Sequence, residues 1–192
     1  MTPMSRTRPP GIPAASAPPA DALRARRRFT AAVLALALVP AIAGCREEVP
    51  QVVPTAEEVE ALYSSTSRLS VEMNGNVAEV TVVQDAQQLR RGGSLWARVG
   101  PYIYLFSDAT QDAFTQFGGL AAVRVITTAP GGSEVARATL LRGTLNELTW
   151  RRALNISGLA RRDGTEQLTL LEDLIRWGED HTEFEYNPRY RR

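Results

Sequence analysis

Residues 69–83 read Leu-Ser-Val-Glu-Met-Asn-Gly-Asn-Val-Ala-Glu-Val-Thr-Val-Val, and this stretch decides the fold. In its first half, apolar Leu69, Val71 and Met73 alternate with polar residues, which is the pattern of a half-buried strand. The second half is rich in valine, which also favours strands. Asn74-Gly75 between two such runs is typical of a tight hairpin. The stretch therefore predicts two paired antiparallel strands.

A short helix is predicted just upstream of this hairpin. Residues 55–58, Thr-Ala-Glu-Glu, have the spacing of a capping box, in which the Thr hydroxyl and the last Glu carboxylate each accept a hydrogen bond from a free backbone amide. Val59, Leu62 and Tyr63 follow at helical spacing. We expect an amphipathic helix that ends at about Ser65.

Downstream of the hairpin, we predict a third strand region and a second helix. The strand region spans Ser94–Phe106 and is interrupted at Gly100-Pro101, and its aromatic residues suit a pleated, half-buried surface. Ser107-Asp108 can cap the helix that follows, and Gly118-Gly119 can end it.

The last third of the chain predicts two strands followed by two helices. The strands cover residues 121–128 and 134–141 and are joined by a Pro-Gly-Gly turn. Capping-box sequences at residues 144–147 and 169–172 introduce the helices. Strands early and in the middle, with helices at the flanks and the end, predict an α+β fold. We expect one domain, residues 55–192, with a mainly antiparallel sheet covered by helices on one face.

The N-terminal part of the chain has the features of an export signal. A basic segment, residues 24–28, precedes a short apolar run, Ala31–Ala43, which is too short to span a bilayer and is interrupted by Pro40. The run ends in Ile42-Ala43-Gly44-Cys45, which resembles the lipobox of bacterial lipoproteins. That resemblance implies cleavage before Cys45, a diacylglyceryl group on its thiol, and often a further acyl chain, such as palmitate, on its new amino group.

The resemblance divides the chain into a signal peptide with a disordered lead (residues 1–44), a lipidated cysteine with its tether (residues 45–54), and the folded domain. Alternatively, Cys45 is only a small residue near an ordinary cleavage site. It is the single cysteine of the chain, however, so it has no disulfide partner within it. The implied location is the cell envelope, with the membrane as a partner through Cys45. In such lipoproteins, an Asp directly after the lipidated cysteine resembles an inner-membrane retention mark. This chain has Arg46 at that position, which favours the outer membrane, facing the periplasm, in a cell with two membranes.

Composition excludes several function classes. Residues 46–192 contain 16 Arg and 20 acidic residues, and this acidic balance argues against nucleic acid as a partner. The chain has no Lys, so it can form neither a Schiff base nor a Walker-type phosphate loop. Its single His excludes motifs that need two histidines. No cofactor is indicated.

Residues 179–186, Glu-Asp-His-Thr-Glu-Phe-Glu-Tyr, contain the one possible metal or catalytic cluster. If the segment is extended, His181, Glu183 and Glu185 share one face and could hold a divalent metal or act as an acid–base pair. Alternatively, a helix ends here and a solvated acidic strand follows, with Phe184 and Tyr186 packing inward. The second interpretation is favoured.

An aromatic-rich middle region provides a second candidate site. Trp96, Tyr102, Tyr104 and Phe114, together with Phe106 and Phe117, could line a pocket for an apolar ligand. Ordinary core packing explains the same residues. The Arg pairs at residues 90–91, 151–152 and 161–162 could meet lipid headgroups, but a solvated surface is the favoured explanation.

The leading hypothesis is therefore a lipid-anchored envelope protein that works, without enzymatic activity, as a protein-interaction module. A carrier or sensor of a small apolar ligand is the alternative from another class. A metal-dependent hydrolase built on His181, Glu183 and Glu185 is the weakest of the three. An open apolar cavity would favour the carrier, and a closed core with an exposed apolar patch would favour protein binding.

Overall fold

The predicted hairpin forms the first two strands of a five-stranded sheet in the computed structural model. The structure describes residues 51–190, except for the side chains of residues 91 and 92. Strand order along the sheet follows the chain, from β1 to β5. Neighbouring strands are antiparallel except β2 and β3, which are parallel. The strands are β1 (Leu69–Asn74), β2 (Val77–Val83), β3 (Ala122–Thr128), β4 (Glu134–Leu141) and β5 (Glu183–Tyr186).

Five helices accompany the sheet in the described residues. The second of them changes direction at Gly93, whose φ of 51° is not helical. A short 3₁₀ turn, Pro188–Tyr190, follows the last strand. The helices are α1 (Ala56–Leu62), α2 (Ala86–Leu105), α3 (Asp108–Gln116), α4 (Glu147–Asp163) and α5 (Leu168–His181).

The core lies between one face of the sheet and the helices. Helix α2 packs on β3 and β4 and is covered on its other side by α4 and α5, while α1 contacts β1 and α3. Alternate residues of β2, namely Ala78, Val80 and Val82, are buried against this layer. The fold is therefore α+β with a mainly antiparallel sheet, as predicted.

The opposite face of the sheet carries charged and polar side chains. Arg124 on β3 donates to Glu79 on β2 at 2.7 Å and to the Thr139 hydroxyl on β4 at 3.1 Å. Arg137 makes two further hydrogen bonds to Glu134. The contacts of Arg124 cross between strands, whereas Arg137 and Glu134 pair within β4. Cross-strand pairs stabilise a face that helices do not cover.

The predicted third strand region, Ser94–Phe106, is wrong, because these residues form most of α2. This helix lies between the sheet and two other helices, so Val99, Tyr102, Ile103 and Leu105 are all buried. The aromatic residues at positions 102, 104 and 106 have the spacing of one face of a strand, which led to the wrong prediction. Pro101 lies inside the helix. The Gln84 side chain donates to the Trp96 carbonyl at 3.2 Å, beside the point where proline interrupts the hydrogen bonding of the helix.

The helix caps are predicted correctly in part. Thr55 and Glu58 form the expected capping box of α1, and Ser107 caps α3. The box predicted at residues 144–147 is formed instead two residues later, by Asn146 and Thr149. Helix α5 begins after Gln167 without a side-chain cap, so the box predicted at residues 169–172 is wrong. The apolar pattern thus predicts that α4 and α5 exist, but it does not predict the residue at which each helix begins.

The predicted signal peptide, Cys45 and the tether as far as residue 50 lie outside the described residues. Residues 51–55 lead into α1 without regular structure. Among residues 51–190, we find no helix with both the length and the apolar character needed to span a membrane.

A candidate interaction groove

A groove of about 470 Å³ opens on the surface where α1, α2 and α3 meet. Its walls are the end of α1 with the loop that follows it, residues of α2 between Gln88 and Tyr104, and the first two turns of α3. Arg161 of α4 closes one side. We call this feature the α1–α3 groove. Its volume falls within the range of about 300–1,000 Å³ that is typical of ligand sites.

The lining of the α1–α3 groove is more polar than apolar, and its apolar part comes mainly from α2. Trp96 and Ile103 are each only 8% exposed and belong to the hydrophobic core, and Tyr104 packs against that core at its edge. Leu62, from the last turn of α1, adds a further half-buried apolar side chain. These side chains give a ligand or a partner a small apolar contact area within a polar surface.

A buried hydrogen-bond network supports the groove from below. The Tyr63 hydroxyl and the Thr110 hydroxyl lie 2.6 Å apart, and Ser107 donates to the Tyr104 carbonyl at 2.6 Å. Burial raises the pKa of Tyr63 to about 12, although the hydrogen bond with Thr110 acts in the opposite direction. The phenol is therefore neutral at physiological pH. These bonds fix α1 against α3 and hold the end of α2 in place.

The rim of the groove is polar and carries both signs of charge. Arg161 donates to the Ile103 carbonyl at 2.6 Å, where a cation is favoured by the C-terminal end of α2. Asp108 and Asp112, one helical turn apart on α3, also line the groove. Burial raises the pKa of Tyr104, with Arg161 acting against that shift. The arrangement suits binding of an apolar side chain or ligand flanked by polar groups.

The structure separates the four aromatic residues predicted to bind a ligand. Trp96 and Tyr104 line the α1–α3 groove. Tyr102 is fully buried, and its ring centroid lies 5.9 Å from that of Phe106 and 5.3 Å from that of Phe184. Phe114 packs on Trp150 instead, with 6.3 Å between ring centroids. Core packing therefore accounts for Tyr102 and Phe114.

The structure does not present the proposed metal ligands on one extended strand. His181 is the last residue of α5, where its ring stacks on Trp177 at 4.0 Å and its Nδ1 lies 2.8 Å from the Trp177 carbonyl oxygen. Glu183 and Glu185 are exposed on β5, and Phe184 between them packs against the core. Among residues 51–190, no three His, Cys, Asp or Glu side chains are grouped so that they could hold a metal ion.

A second, more open recess of about 500 Å³ lies between α2, α5 and β5. Its lining residues Arg98 and Glu179 form an ion pair with each other. Since these two charges already satisfy one another, this recess offers a ligand less than the α1–α3 groove does.

The Arg pairs have separate roles. Arg151 pairs with Glu147 one turn earlier at 3.3 Å, and the Arg152 guanidinium lies 4.6 Å from the Trp177 ring centroid. Arg162 pairs with Asp163, while Arg161 lines the groove. Arg161 in the groove wall was not predicted, because its contact with α2 depends on how the helices pack.

Comparison with known proteins adds no relative from which a function could be transferred. No protein-family model, no curated protein and no solved structure matches the chain. Any assignment of function must therefore rest on the residues and their geometry.

Proposed function

We propose that this chain is a lipid-anchored protein of the bacterial cell envelope whose α+β domain binds an envelope partner through the α1–α3 groove. The observation that carries the proposal is where the aromatic residues lie. Tyr102 and Phe106 fill a closed core, whereas Trp96 and Tyr104 line a groove that is open at the surface. A closed core beside an open groove with a mainly polar lining and a few apolar contacts is suited to docking a protein segment.

Binding, rather than catalysis, agrees with the chemistry of the groove. The Ser107 and Thr110 hydroxyls both donate to the Tyr104 carbonyl, and the imidazole of His181 is stacked on Trp177 in another part of the domain. No lining hydroxyl of the α1–α3 groove therefore has an imidazole base beside it to activate it. The membrane anchor at Cys45 keeps this groove at the envelope, where its partner is to be found.

A photo-crosslinking amino acid at Thr66, on the rim of the groove, tests the proposal in living cells. We expect a discrete adduct with one envelope protein. The adduct should disappear when Asp112→Arg and Arg161→Glu reverse the charges of the rim. The same crosslinker at Leu168, which is exposed on α5 and does not line the groove, is the matched control. An adduct that forms equally from both positions, or that survives charge reversal, would contradict the proposal.

The carrier of a small apolar ligand remains the second candidate, because Trp96 and Tyr104 line a groove large enough for a small molecule. Titration with a fluorescent fatty-acid analogue distinguishes the two. A carrier should bind the analogue stoichiometrically and lose it when Ser67→Trp fills the groove. A protein-interaction module should show no saturable binding of the analogue, and Ser67→Trp should instead weaken the crosslinked adduct.

A further inference from the structure

Exposed apolar side chains are concentrated at one end of the domain. Five large apolar residues are exposed among those described: Val52, Val53, Leu141, Leu148 and Leu168. Leu148 is the most exposed, at 69%. Scattered single residues of this kind need no explanation, but a group of neighbours does.

Four of the five belong to segments that meet at the same end of the sheet. Gly119 donates its amide to the Val52 carbonyl at 3.0 Å, and β3 begins three residues later. Leu141, at the end of β4, pairs with Ala122 at the start of β3. Helix α4, which contains Leu148, begins six residues after Leu141. Gly119 is required for this arrangement, because a Cβ there would lie 2.7 Å from the Val52 backbone.

The fifth residue, Leu168, is far from this group. It opens α5, after the chain has passed along the 17 residues of α4. A helix of that length spans about 25 Å. Leu168 is therefore an internal control for any property of the other end.

The same end of the domain receives the chain from the predicted anchor. Val52 follows Cys45 by seven residues. Seven extended residues reach at most about 25 Å, so lipidation of Cys45 would keep Val52 within that distance of the bilayer surface. The end that carries the exposed apolar residues would thus be held next to the membrane.

Charge at this end also suits a lipid surface. Residues 74–76, 117–122 and 141–146 contain one charged residue, Arg142. Glu147, which precedes Leu148 at the start of α4, is an exposed carboxylate, and it pairs with Arg151. The Arg142 guanidinium donates to the carbonyls of Leu120, Phe114 and Phe117. Beside Leu148, the outer face of α4 carries Arg151, which pairs with Glu147, and Arg152, whose guanidinium lies over the Trp177 ring. Both side chains are exposed, so their guanidinium groups can also approach anionic headgroups.

We propose that the end of the domain formed by Val52, Val53, Leu141 and Leu148 is a membrane-contact surface that rests on the bilayer beside the anchor. The proposal depends on lipidation of Cys45. Apolar side chains enter the headgroup region, and Arg151 and Arg152 lie at its edge. The anchor then determines which way the domain faces, as well as where it is.

The test uses the mature lipidated protein in vesicles of phosphatidylethanolamine and phosphatidylglycerol. Cys45 holds the only thiol of the chain, and lipidation converts it to a thioether, so an introduced cysteine is the only reactive one. Leu141→Cys, Leu148→Cys and Leu168→Cys are each labelled with an environment-sensitive fluorophore. Lipids with a quencher near the headgroup report contact.

Because interfacial side chains lie about 5–10 Å within the headgroup boundary, we expect labels at 141 and 148 to be quenched at least about twofold more than the label at 168. If the intact mass includes the lipid but quenching is equal at all three positions, the proposed membrane-contact surface is wrong and the anchor stands. A mass without lipid overturns the anchor, and the surface that depends on it.

Discussion

At the scale of single residues, Arg142 holds together the end of the domain next to the tether. Its guanidinium donates to the Leu120 carbonyl at 2.5 Å, to the Phe114 carbonyl at 2.8 Å and to the Phe117 carbonyl, and it also lies over the Phe114 ring. Two of these carbonyls belong to the end of α3, which has no further helical turn to bond them. The Arg142 side chain, which directly follows β4, thus caps the C-terminal end of α3 and links the two elements.

Arg142→Ala should lower the free energy of unfolding by about 2–3 kcal/mol, because it leaves partly buried carbonyls without a donor. Urea denaturation of the soluble Cys45→Ser form measures the change. Arg162→Ala is the matched control, since its ion pair with Asp163 is exposed and should contribute at most about 1 kcal/mol. Equal losses for the two variants would show that the three carbonyl bonds add nothing specific.

At the scale of elements, the packing of α2 against α5 depends on a glycine. A Cβ at Gly178 of α5 would lie 2.4 Å from the Tyr102 ring of α2. That ring is fully buried between Phe106 and Phe184, so it has no free space into which to move. The two helices therefore approach more closely than any other residue at position 178 would allow.

Two glycine-to-alanine substitutions should have opposite signs. Gly178→Ala should destabilise the domain by about 1–3 kcal/mol, because it overpacks the core. Gly158→Ala, in the exposed part of α4 with no atom within 4 Å of its Cβ, should stabilise the domain by about 0.5–1 kcal/mol. Urea midpoints of both variants test the pair. If Gly178→Ala is neutral, α2 and α5 are not packed as described.

Elements whose two faces differ could be predicted from sequence, and α2 could not. The two strands of the hairpin, and β3 from Val123 onward, alternate between more and less buried positions, so their period of two is visible. Helix α2 is buried on nearly all sides, and its aromatic residues at positions 102, 104 and 106 imitate strand alternation. Its burial becomes clear only once the sheet on one side and α4 and α5 on the other are in place.

The residues of the candidate groove, too, could be predicted only in part. Trp96 and Tyr104 could be named because aromatic residues are the signal of a ligand site. Tyr63, Thr110 and Arg161 could not, since they come from three helices that meet only after folding. The prediction for Tyr102 and Phe114 did not separate core from groove, because burial depends on which elements cover each side chain.

At the scale of the whole molecule, the α1–α3 groove and the membrane-contact surface are compatible. Ser65–Ser67 of the groove precede β1, whose first residue pairs with Val82, at the end of the sheet opposite Leu141. A domain resting on a bilayer with the surface around Val52 and Leu141 would therefore leave this part of the groove open on the side away from the lipid. An envelope partner could reach it without displacing the domain from the lipid.

The length of the tether should then control how often the domain contacts the bilayer. Inserting 21 Gly/Ser residues after Glu48 extends the connection between Cys45 and Val52 from seven residues to 28. Effective concentration falls roughly as the −3/2 power of linker length, so a fourfold longer tether should weaken contact about eightfold. Quenching of the label at Leu141→Cys should fall towards that of Leu168→Cys, while the protein stays bound to the vesicles. If quenching at position 141 does not change, the surface holds the bilayer through its own affinity, and the short tether is not what orients the domain.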